Sequence, residues 1–245
     1  MLRTNGPDTA EPGGSPARRD GAEPSADDLV IAGLVPLSTC DWPGRLVATL
    51  FLQGCPWRCT YCHNPELIDP RTPGQVPWAQ VTDLLARRVG LLDGVVFSGG
   101  EPTRQPALLD AVRQVRAAGF GVGLHTAGAY PRRLAALLPL VDWVGLDIKA
   151  PPGRYESITG VPASARTALA SLDLALAAGV DLQVRTTIDP TVLEAGDVSG
   201  LADQLAQRGV RNHVLQEVRG TGVRPEYADA LARSRERGVA NRWPT

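Results

Sequence analysis

The chain has 245 residues, of which 43% are apolar, enough for a hydrophobic core in one α/β domain or in two smaller ones. Its formal net charge of -1 provides no bulk attraction to nucleic acid or to an anionic membrane. No run approaches the roughly 20 apolar residues of a membrane span, and the amino terminus lacks the charged-then-apolar pattern of a secretory signal. We therefore expect neither a nucleic-acid partner nor a membrane.

The first 28 residues are rich in Pro, Gly and acidic residues, and no large apolar residue follows Leu2 in this segment. Such a segment cannot bury enough apolar surface to offset the entropy lost on ordering it. The sequence therefore predicts a disordered tail over residues 1–28 and one folded domain over residues 29–245.

Beyond the tail, short apolar runs alternate with helical patterns. Strands are predicted at 47–52, 95–97, 120–124, 141–148, 182–188 and 213–218. Helices are predicted at 81–89, 108–115, 132–138, 165–178, 198–208 and 226–237. Continuously apolar strands with short connections indicate a parallel sheet with helices on its outer face. Six such units fall short of a closed eight-stranded barrel, and the pattern alone does not separate an open barrel from a doubly wound sheet.

A cysteine-rich loop, which we call the cysteine loop (residues 53–65), follows the first predicted strand. Its three cysteines have the spacing C-x3-C-x2-C and are Cys55, Cys59 and Cys62. Soft thiolates select zinc, copper(I) or iron–sulfur clusters, and three ligands leave one iron of a 4Fe–4S cluster open to a small molecule. Structural zinc needs a fourth ligand, for which Cys40 and His63 are the nearby candidates, neither at the usual spacing. So few cysteines, so closely grouped, do not suggest a disulfide framework, and free thiols suit a reducing cytoplasm.

Glycine and polar residues follow the second and third predicted strands. This is expected if functional residues lie at the carboxyl ends of parallel strands. After the second strand, Gly99 and Gly100 would let a ligand approach the backbone closely, and the Glu101 carboxylate could hold an ammonium group. An ordinary turn is the alternative. After the third strand, the Thr126 hydroxyl could donate to a ligand. His125 there is best read as a loop histidine with satisfied ring nitrogens, with a cation ligand or a proton carrier as alternatives.

Charged residues follow the fourth and fifth predicted strands. Alternation along a strand puts Asp147 and Lys149 on the same face. All of the 25 basic residues except Lys149 are arginine, which suggests a site that needs a compact ammonium group, although a simple salt bridge with Asp147 is possible. Arg185, beside two threonine hydroxyls, suits a ribose or a carboxylate, or it pairs with Glu101 or Asp147.

The cysteine loop, with Tyr61 directly before its last cysteine, resembles the signature of the radical S-adenosylmethionine (SAM) superfamily. A longer resemblance is carried by three runs, Asp41-Trp42-Pro43-Gly44-Arg45, Phe51-Leu52-Gln53-Gly54-Cys55 and Tyr61-Cys62-His63-Asn64-Pro65. These runs are similar to the activating proteins of glycyl-radical enzymes, and most similar to the activating proteins of anaerobic ribonucleoside-triphosphate reductase. The resemblance covers about residues 29–220 and implies a partial (β/α)6 open barrel of radical SAM type.

The same resemblance implies which residues hold the cofactors. Cys55, Cys59 and Cys62 would hold a 4Fe–4S cluster. SAM would be bound by Tyr61, Gly99, Gly100, Glu101, Thr126, Asp147, Lys149, Arg185 and Gln216. Gln216 stands where related activating enzymes carry a ribose-contacting histidine. His125 stands where pyruvate formate-lyase activating enzymes carry an acidic residue, so a cation site is not carried over to it.

The reaction that the resemblance implies needs no acid or base from the protein, so we expect no catalytic residue beyond the cluster and SAM. Reduced flavodoxin or ferredoxin would supply one electron, and the resulting 5′-deoxyadenosyl radical would take a hydrogen atom from a glycine of a glycyl-radical enzyme. The expected partner is anaerobic ribonucleotide reductase, with a pyruvate formate-lyase type as an alternative. A radical SAM enzyme acting on a small molecule, similar to 7-carboxy-7-deazaguanine synthase, and a non-catalytic zinc-binding module are the competing functions.

Overall fold

The computed structural model describes residues 23–236. Seven strands form one sheet in chain order: β1 (Ile31–Ser38), β2 (Val47–Leu52), β3 (Gly94–Gly99), β4 (Gly121–Thr126), β5 (Trp143–Asp147), β6 (Asp181–Ile188) and β7 (His213–Glu217). The helices are α1 (Trp78–Ala86), α2 (Leu108–Ala117), α3 (Pro131–Leu137), α4 (Tyr155–Thr159), α5 (Ser164–Ala178), α6 (Ala195–Gln207) and α7 (Pro225–Glu236). Of these helices, none has both the length and the apolar character needed to cross a bilayer.

The sheet is a partial barrel built from six parallel strands. β2 to β7 pair in parallel with their neighbours, whereas β1 pairs antiparallel with β2. Parallel strands joined in sequence by right-handed crossovers place their helices on one face of the sheet. In residues 23–236 the end strands β1 and β7 do not pair with each other, so the barrel is open on that side. The predicted α/β fold with six βα units is therefore confirmed.

Apolar residues pack on both faces of this sheet. The main core lies under the helices and contains Phe97 of β3. On the opposite, concave face Val96 belongs to a small separate cluster with Val47, Trp42 and Trp143. The two indoles stack with ring centroids 5.8 Å apart. Because alternate residues of a strand face opposite sides, β3 supplies both clusters, and the indoles fill the inside of the barrel.

Two elements were not predicted. β1 is an edge strand interrupted by Gly33 and Pro36, with irregular register against β2, so it lacks a clear alternating pattern. α4 has only five residues. The first predicted helix also ends earlier than expected, at Ala86, which leaves Val89 68% exposed.

The packed chain begins before residue 29. Ala26–Asp28 form one turn of 3-10 helix, Ala26 is fully buried, and its backbone N–H donates to Asp110 Oδ2 at 2.8 Å. These residues of the predicted tail therefore pack against α2. Residues 1–22 of that tail lie outside the described residues.

Candidate active site

A cleft of about 310 Å³ opens at the carboxyl ends of the parallel strands. It brings together every predicted site residue except Glu101. Those lining it are Cys55, Tyr61, Cys59, Cys62, Gly99, Gly100, Thr126, Asp147, Lys149, Arg185 and Gln216. The concentration of polar groups at one end of the sheet agrees with the expectation that functional side chains lie at the carboxyl ends of parallel strands.

The cysteine loop leaves β2 and is closed at its base by a buried glutamine. The Gln53 side-chain amide donates to the carbonyls of Glu66 at 2.9 Å and Asp69 at 2.8 Å. The Gly54 backbone N–H donates to the Leu67 carbonyl at 2.8 Å. Because Gln53 is only 2% exposed, these bonds are shielded from water, and both ends of the loop stay together at the edge of the cleft.

The thiols of the loop are free, and two of them are strongly affected by burial. Burial raises the pKa of Cys55 to about 12. Burial also raises the pKa of Cys59, against the opposing effect of the Lys149 charge. Because the thiolate is the form that binds metals, metal binding here must displace protons from these two groups.

Gly99 and Gly100 allow the cysteine loop to rest on the end of β3. Gly99 has φ 117°, and a Cβ there would lie 2.2 Å from the Leu52 backbone nitrogen. At Gly100 a Cβ would lie 2.5 Å from the Gly54 carbonyl oxygen. The glycines line the cleft, as predicted, but what excludes a side chain at both positions is neighbouring backbone.

Glu101 lies beneath the cleft wall and connects two turns. It is fully buried, and its Oε1 accepts from the Thr103 hydroxyl at 2.6 Å and the Thr126 hydroxyl at 2.7 Å. Its Oε2 accepts from the Ala127 backbone N–H at 2.8 Å. Burial raises the pKa of Glu101 despite these bonds. The carboxylate therefore ties the turn after β3 to the turn after β4, and its contact with a ligand ammonium group stays a prediction.

Three charged side chains share the cleft floor. Arg185 places two guanidinium nitrogens 2.9 Å from Asp147 Oδ1, and Lys149 Nζ lies 3.4 Å from Asp147 Oδ2. Burial alone would raise the pKa of Asp147, but the charges of Arg185 and Lys149 outweigh it and lower that pKa. The ion-pair alternatives foreseen for Lys149 and Arg185 with Asp147 are therefore confirmed. The three residues also line the cleft, and their contact with a ligand stays a prediction. The trio carries one net positive charge.

His125 has both ring nitrogens engaged. Nε2 lies 2.7 Å from the Asp41 carbonyl oxygen, which can only accept, so Nε2 carries a proton, and Nδ1 lies 3.2 Å from Ser98 Oγ. Burial, with the nearby Arg185 charge, lowers the pKa of His125 to about 4. The side chain is therefore a neutral histidine with both ring nitrogens hydrogen-bonded, as predicted, although it lies within β4 and not in a loop.

The sequence that forms most of this cleft matches a known protein family. The model of the family described as the radical SAM superfamily matches residues 49–197, which is more than half of the chain and includes all three loop cysteines. The chain belongs to the radical SAM superfamily. The match ends in α6 and covers β3 to β6 completely.

Relatives place this radical SAM chain in the activating group. It is 30% identical over 180 residues to a Methanocaldococcus jannaschii protein named "putative glycyl-radical enzyme activating enzyme", covering 71% of this chain and 74% of that protein. It is 34% identical over 126 residues to the pyruvate formate-lyase-activating enzyme of Clostridium pasteurianum, covering 49% of this chain and 52% of the relative. The chain thus spans about half the length of the second relative.

Solved structures share the fold. One titled "Native anSMEcpe with bound AdoMet" matches with a TM-score of 0.52 at 15% identity, covering 68% of this chain and 49% of that one. Another, Streptococcus suis SuiB bound to S-adenosylmethionine, matches with a TM-score of 0.57 at 14% identity, covering 77% and 45%. At these identities the likeness concerns the fold alone.

The radical SAM cofactors, a 4Fe–4S cluster and SAM, fit the donor set of the cleft. The three thiols supply soft ligands, and Lys149 has donors left over after its bond to Asp147. Tyr61 is only 4% exposed, and its hydroxyl has no hydrogen-bond partner among the described residues. A buried hydroxyl without a partner costs about 1–3 kcal/mol, so this group suits a site that a ligand completes.

Membership in the superfamily also removes the interpretation as a zinc-binding module. A tetrahedral zinc site groups its ligands around one ion. Within residues 23–236 no three side chains of His, Cys, Asp or Glu are grouped closely enough to hold a single ion. The thiols instead line a shared cleft, which suits a cluster that offers each thiolate a different iron.

Other cleft residues were not singled out as site residues from the sequence. Asp41 lines the cleft and lies in the first run that carries the family resemblance, which could have identified it. Ser98 at the end of β3 and Arg219 just beyond β7 occupy strand-end positions, so the strand-end rule could have found both. Trp57 also lines the cleft, and its position in the cysteine loop is as consistent with a covering or partner-contacting side chain as with a ligand contact.

Proposed function

We propose that this protein cleaves SAM reductively and generates a glycyl radical on a partner enzyme, an anaerobic ribonucleoside-triphosphate reductase. The observation that carries the proposal is the 30% sequence identity with a relative named as a glycyl-radical enzyme activating enzyme, which covers 71% of this chain and 74% of that relative. The choice of partner rests on the runs Asp41–Arg45 and Tyr61–Pro65, which resemble the reductase-activating proteins.

In this proposal Cys55, Cys59 and Cys62 hold a 4Fe–4S cluster at the mouth of the cleft. When reduced, that cluster supplies the electron that breaks the sulfonium bond of SAM. The protein contributes ligation and position. The closed base of the cysteine loop, held by Gln53, keeps the ligands at the end of β2.

The floor of the cleft supplies the SAM contacts. Lys149 and Arg185 offer positive charge to a carboxylate, and Asp147 offers an acceptor to an ammonium group or a ribose hydroxyl. Tyr61 offers an unpartnered hydroxyl, and Gln216 offers an amide at the end of β7. Holding the reacting groups in one geometry is worth about 7 kcal/mol or more of barrier.

The unpaired side of the barrel, between β1 and β7, supports a protein substrate, because a glycine-bearing loop could enter there. Reduced flavodoxin or ferredoxin is the proposed electron donor. The proposed compartment is the reducing cytoplasm, where four free cysteines are stable.

A pyruvate formate-lyase type of partner is the second candidate, favoured by relatives named as pyruvate formate-lyase-activating enzymes at 31–34% identity. His125 stands where the pyruvate formate-lyase group carries an acidic residue, so that group's cation role is not carried over to this chain. The relatives overlap this chain over only about half of its length.

Anaerobic reconstitution with iron, sulfide, SAM, reductant and each candidate partner tests the proposal. We expect a glycyl-radical EPR signal with the reductase and 5′-deoxyadenosine formation that Cys59→Ala abolishes. Cys40→Ala is the matched control, because Cys40 is exposed and lies outside the cysteine loop. A parent-like rate of SAM cleavage by Cys59→Ala would refute the cluster assignment. Modification of a small metabolite without a radical on any partner would favour the small-molecule enzyme.

A further inference from the structure

A buried carboxylate behind the cysteine loop is not used by any step described above. Asp189 follows β6 and is fully buried. Its Oδ2 accepts from the Thr60 hydroxyl at 2.6 Å. Its Oδ1 accepts from the Thr191 hydroxyl at 2.6 Å, the Thr191 backbone N–H at 2.9 Å and the Tyr227 hydroxyl at 2.8 Å. Within residues 23–236 no arginine or lysine forms an ion pair with this carboxylate.

These bonds join three segments that are distant in the chain. Thr60 lies inside the cysteine loop between Cys59 and Cys62, and Tyr227 lies on α7. A buried carboxylate without a paired cation depends on its hydrogen-bond donors, so the donors must stay converged on it. Burial and the Asp189 charge raise the pKa of Tyr227, which keeps its hydroxyl protonated and able to donate.

We propose that Asp189 is a positioning residue that fixes the cysteine loop, through Thr60, to the carboxyl-terminal helix α7, through Tyr227. The proposal rests on the proposed function only in taking Cys59 and Cys62 as cluster ligands. The fixed loop would hold those thiols at the cleft before the cluster binds.

The segment that leads into α7 adds contacts to the same loop. Arg224 donates from Nη2 to the Cys59 carbonyl at 2.9 Å, and His63 Nε2 lies 3.3 Å from the Arg219 carbonyl oxygen, to which it donates. At Gly222 a Cβ would lie 2.9 Å from the His63 carbonyl oxygen. The outer side of the loop is therefore covered by the segment whose helix Asp189 anchors.

The burial of Cys59 provides a direct readout of loop position. Cys59 is 8% exposed, so an alkylating reagent reaches its thiol only when the loop opens. Cys40 is exposed and lies outside the cysteine loop, so its alkylation rate serves as an internal reference. Both rates are measured before cluster loading, so the readout requires neither a bound cluster nor catalysis.

The test compares two threonines that donate to the same carboxylate at the same distance. In the full chain before cluster loading, Thr60→Val should raise the rate of Cys59 alkylation by iodoacetamide, relative to Cys40, about tenfold, since a hydrogen bond to a charged acceptor is lost. Thr191→Val loses an equivalent bond but lies outside the loop, and should leave the ratio within about twofold. Thr60→Ser should restore the parent ratio.

Equal alkylation ratios in Thr60→Val and Thr191→Val would overturn the proposal, because Asp189 would then serve general stability alone. If Thr60→Val does not fold, Tyr227→Phe removes the link to α7 and should raise the ratio in the same way, and an unchanged ratio there would overturn it equally. After anaerobic loading, a chelator should remove iron faster from Thr60→Val than from Thr191→Val. A parent chain that takes up no cluster would refute the proposed function, while the alkylation ratios would still decide the role of Asp189.

Discussion

Replacing the single lysine of the chain tests the proposed binding of SAM in the cleft. The Lys149 side chain is 11% exposed, its Nζ lies 3.4 Å from Asp147 Oδ2, and it faces the Tyr61 ring at 5.6 Å from the ring centroid. Lys149→Arg keeps the charge but puts a planar, wider group into this space, beside the guanidinium of Arg185.

Two effects set the expected size of the change. A charge-assisted hydrogen bond contributes about 1.5–3 kcal/mol, and extra atoms in a packed site cost about 1–3 kcal/mol. At about 1.4 kcal/mol per tenfold change, losing one such bond weakens SAM binding about tenfold to a hundredfold. Burial disfavours the charged form of Lys149, but neighbouring groups that can carry negative charge raise its pKa well above the usual range. The Asp147 carboxylate, whose own pKa is lowered, is the neighbour that carries this charge at neutral pH, so the ammonium form is present there.

The assay is equilibrium SAM binding to anaerobically reconstituted protein, with iron content measured in the same samples. Lys149→Arg should raise the Kd for SAM while the iron content stays at the parent value. Arg88→Lys, at an exposed position, is the control and should bind SAM like the parent. Unchanged SAM affinity in Lys149→Arg would refute the reasoning from a compact ammonium group.

Three other measurements probe the ligand, the turn after β3 and the buried histidine. SAM should protect Lys149 from an amine-acylating reagent, read by mass spectrometry, and equal labelling with and without SAM would contradict its place in the site. Gly100→Ala should lose about 1–3 kcal/mol of unfolding free energy, together with cluster content, because its Cβ would meet the Gly54 carbonyl at 2.5 Å, whereas Gly196→Ala has open space and should be neutral or stabilising. His125, with its pKa lowered to about 4, contributes stability that is fully present above about pH 6.5 and is lost as the pH falls towards 4, by about 3 kcal/mol in denaturant titrations. An equal loss in the His125→Gln variant would contradict that assignment.

The regular part of the fold could be predicted because its signals are local. The strand predicted at 47–52 has the same bounds as β2, and the predicted end of α5 at Gly179 matches a left-handed glycine with φ 68°. β1 was missed because an edge strand in antiparallel pairing, broken by Gly33 and Pro36, carries neither a continuous nor an alternating apolar pattern.

The site residues were accessible to sequence reasoning where they follow a strand. Asp147 and Lys149 face the cleft because a period of two fixes their side of β5 and its extension. The direction of Glu101 was not accessible, since it depends on the turn after β4 supplying Thr126 and Ala127 as donors. The bond between Thr60 and Asp189 spans 129 positions of sequence, so only the folded chain brings the two together.

Within residues 23–236, the gap between β1 and β7 leaves one side of the barrel without a wall of its own. A radical formed in a cleft that is open on one side is exposed to bulk solvent unless another molecule covers the open side. In the proposed function the partner enzyme would cover that open side when it docks. Docking of the partner would then coincide with the start of SAM cleavage. In that case the open side of the sheet would limit radical formation in the absence of the partner enzyme.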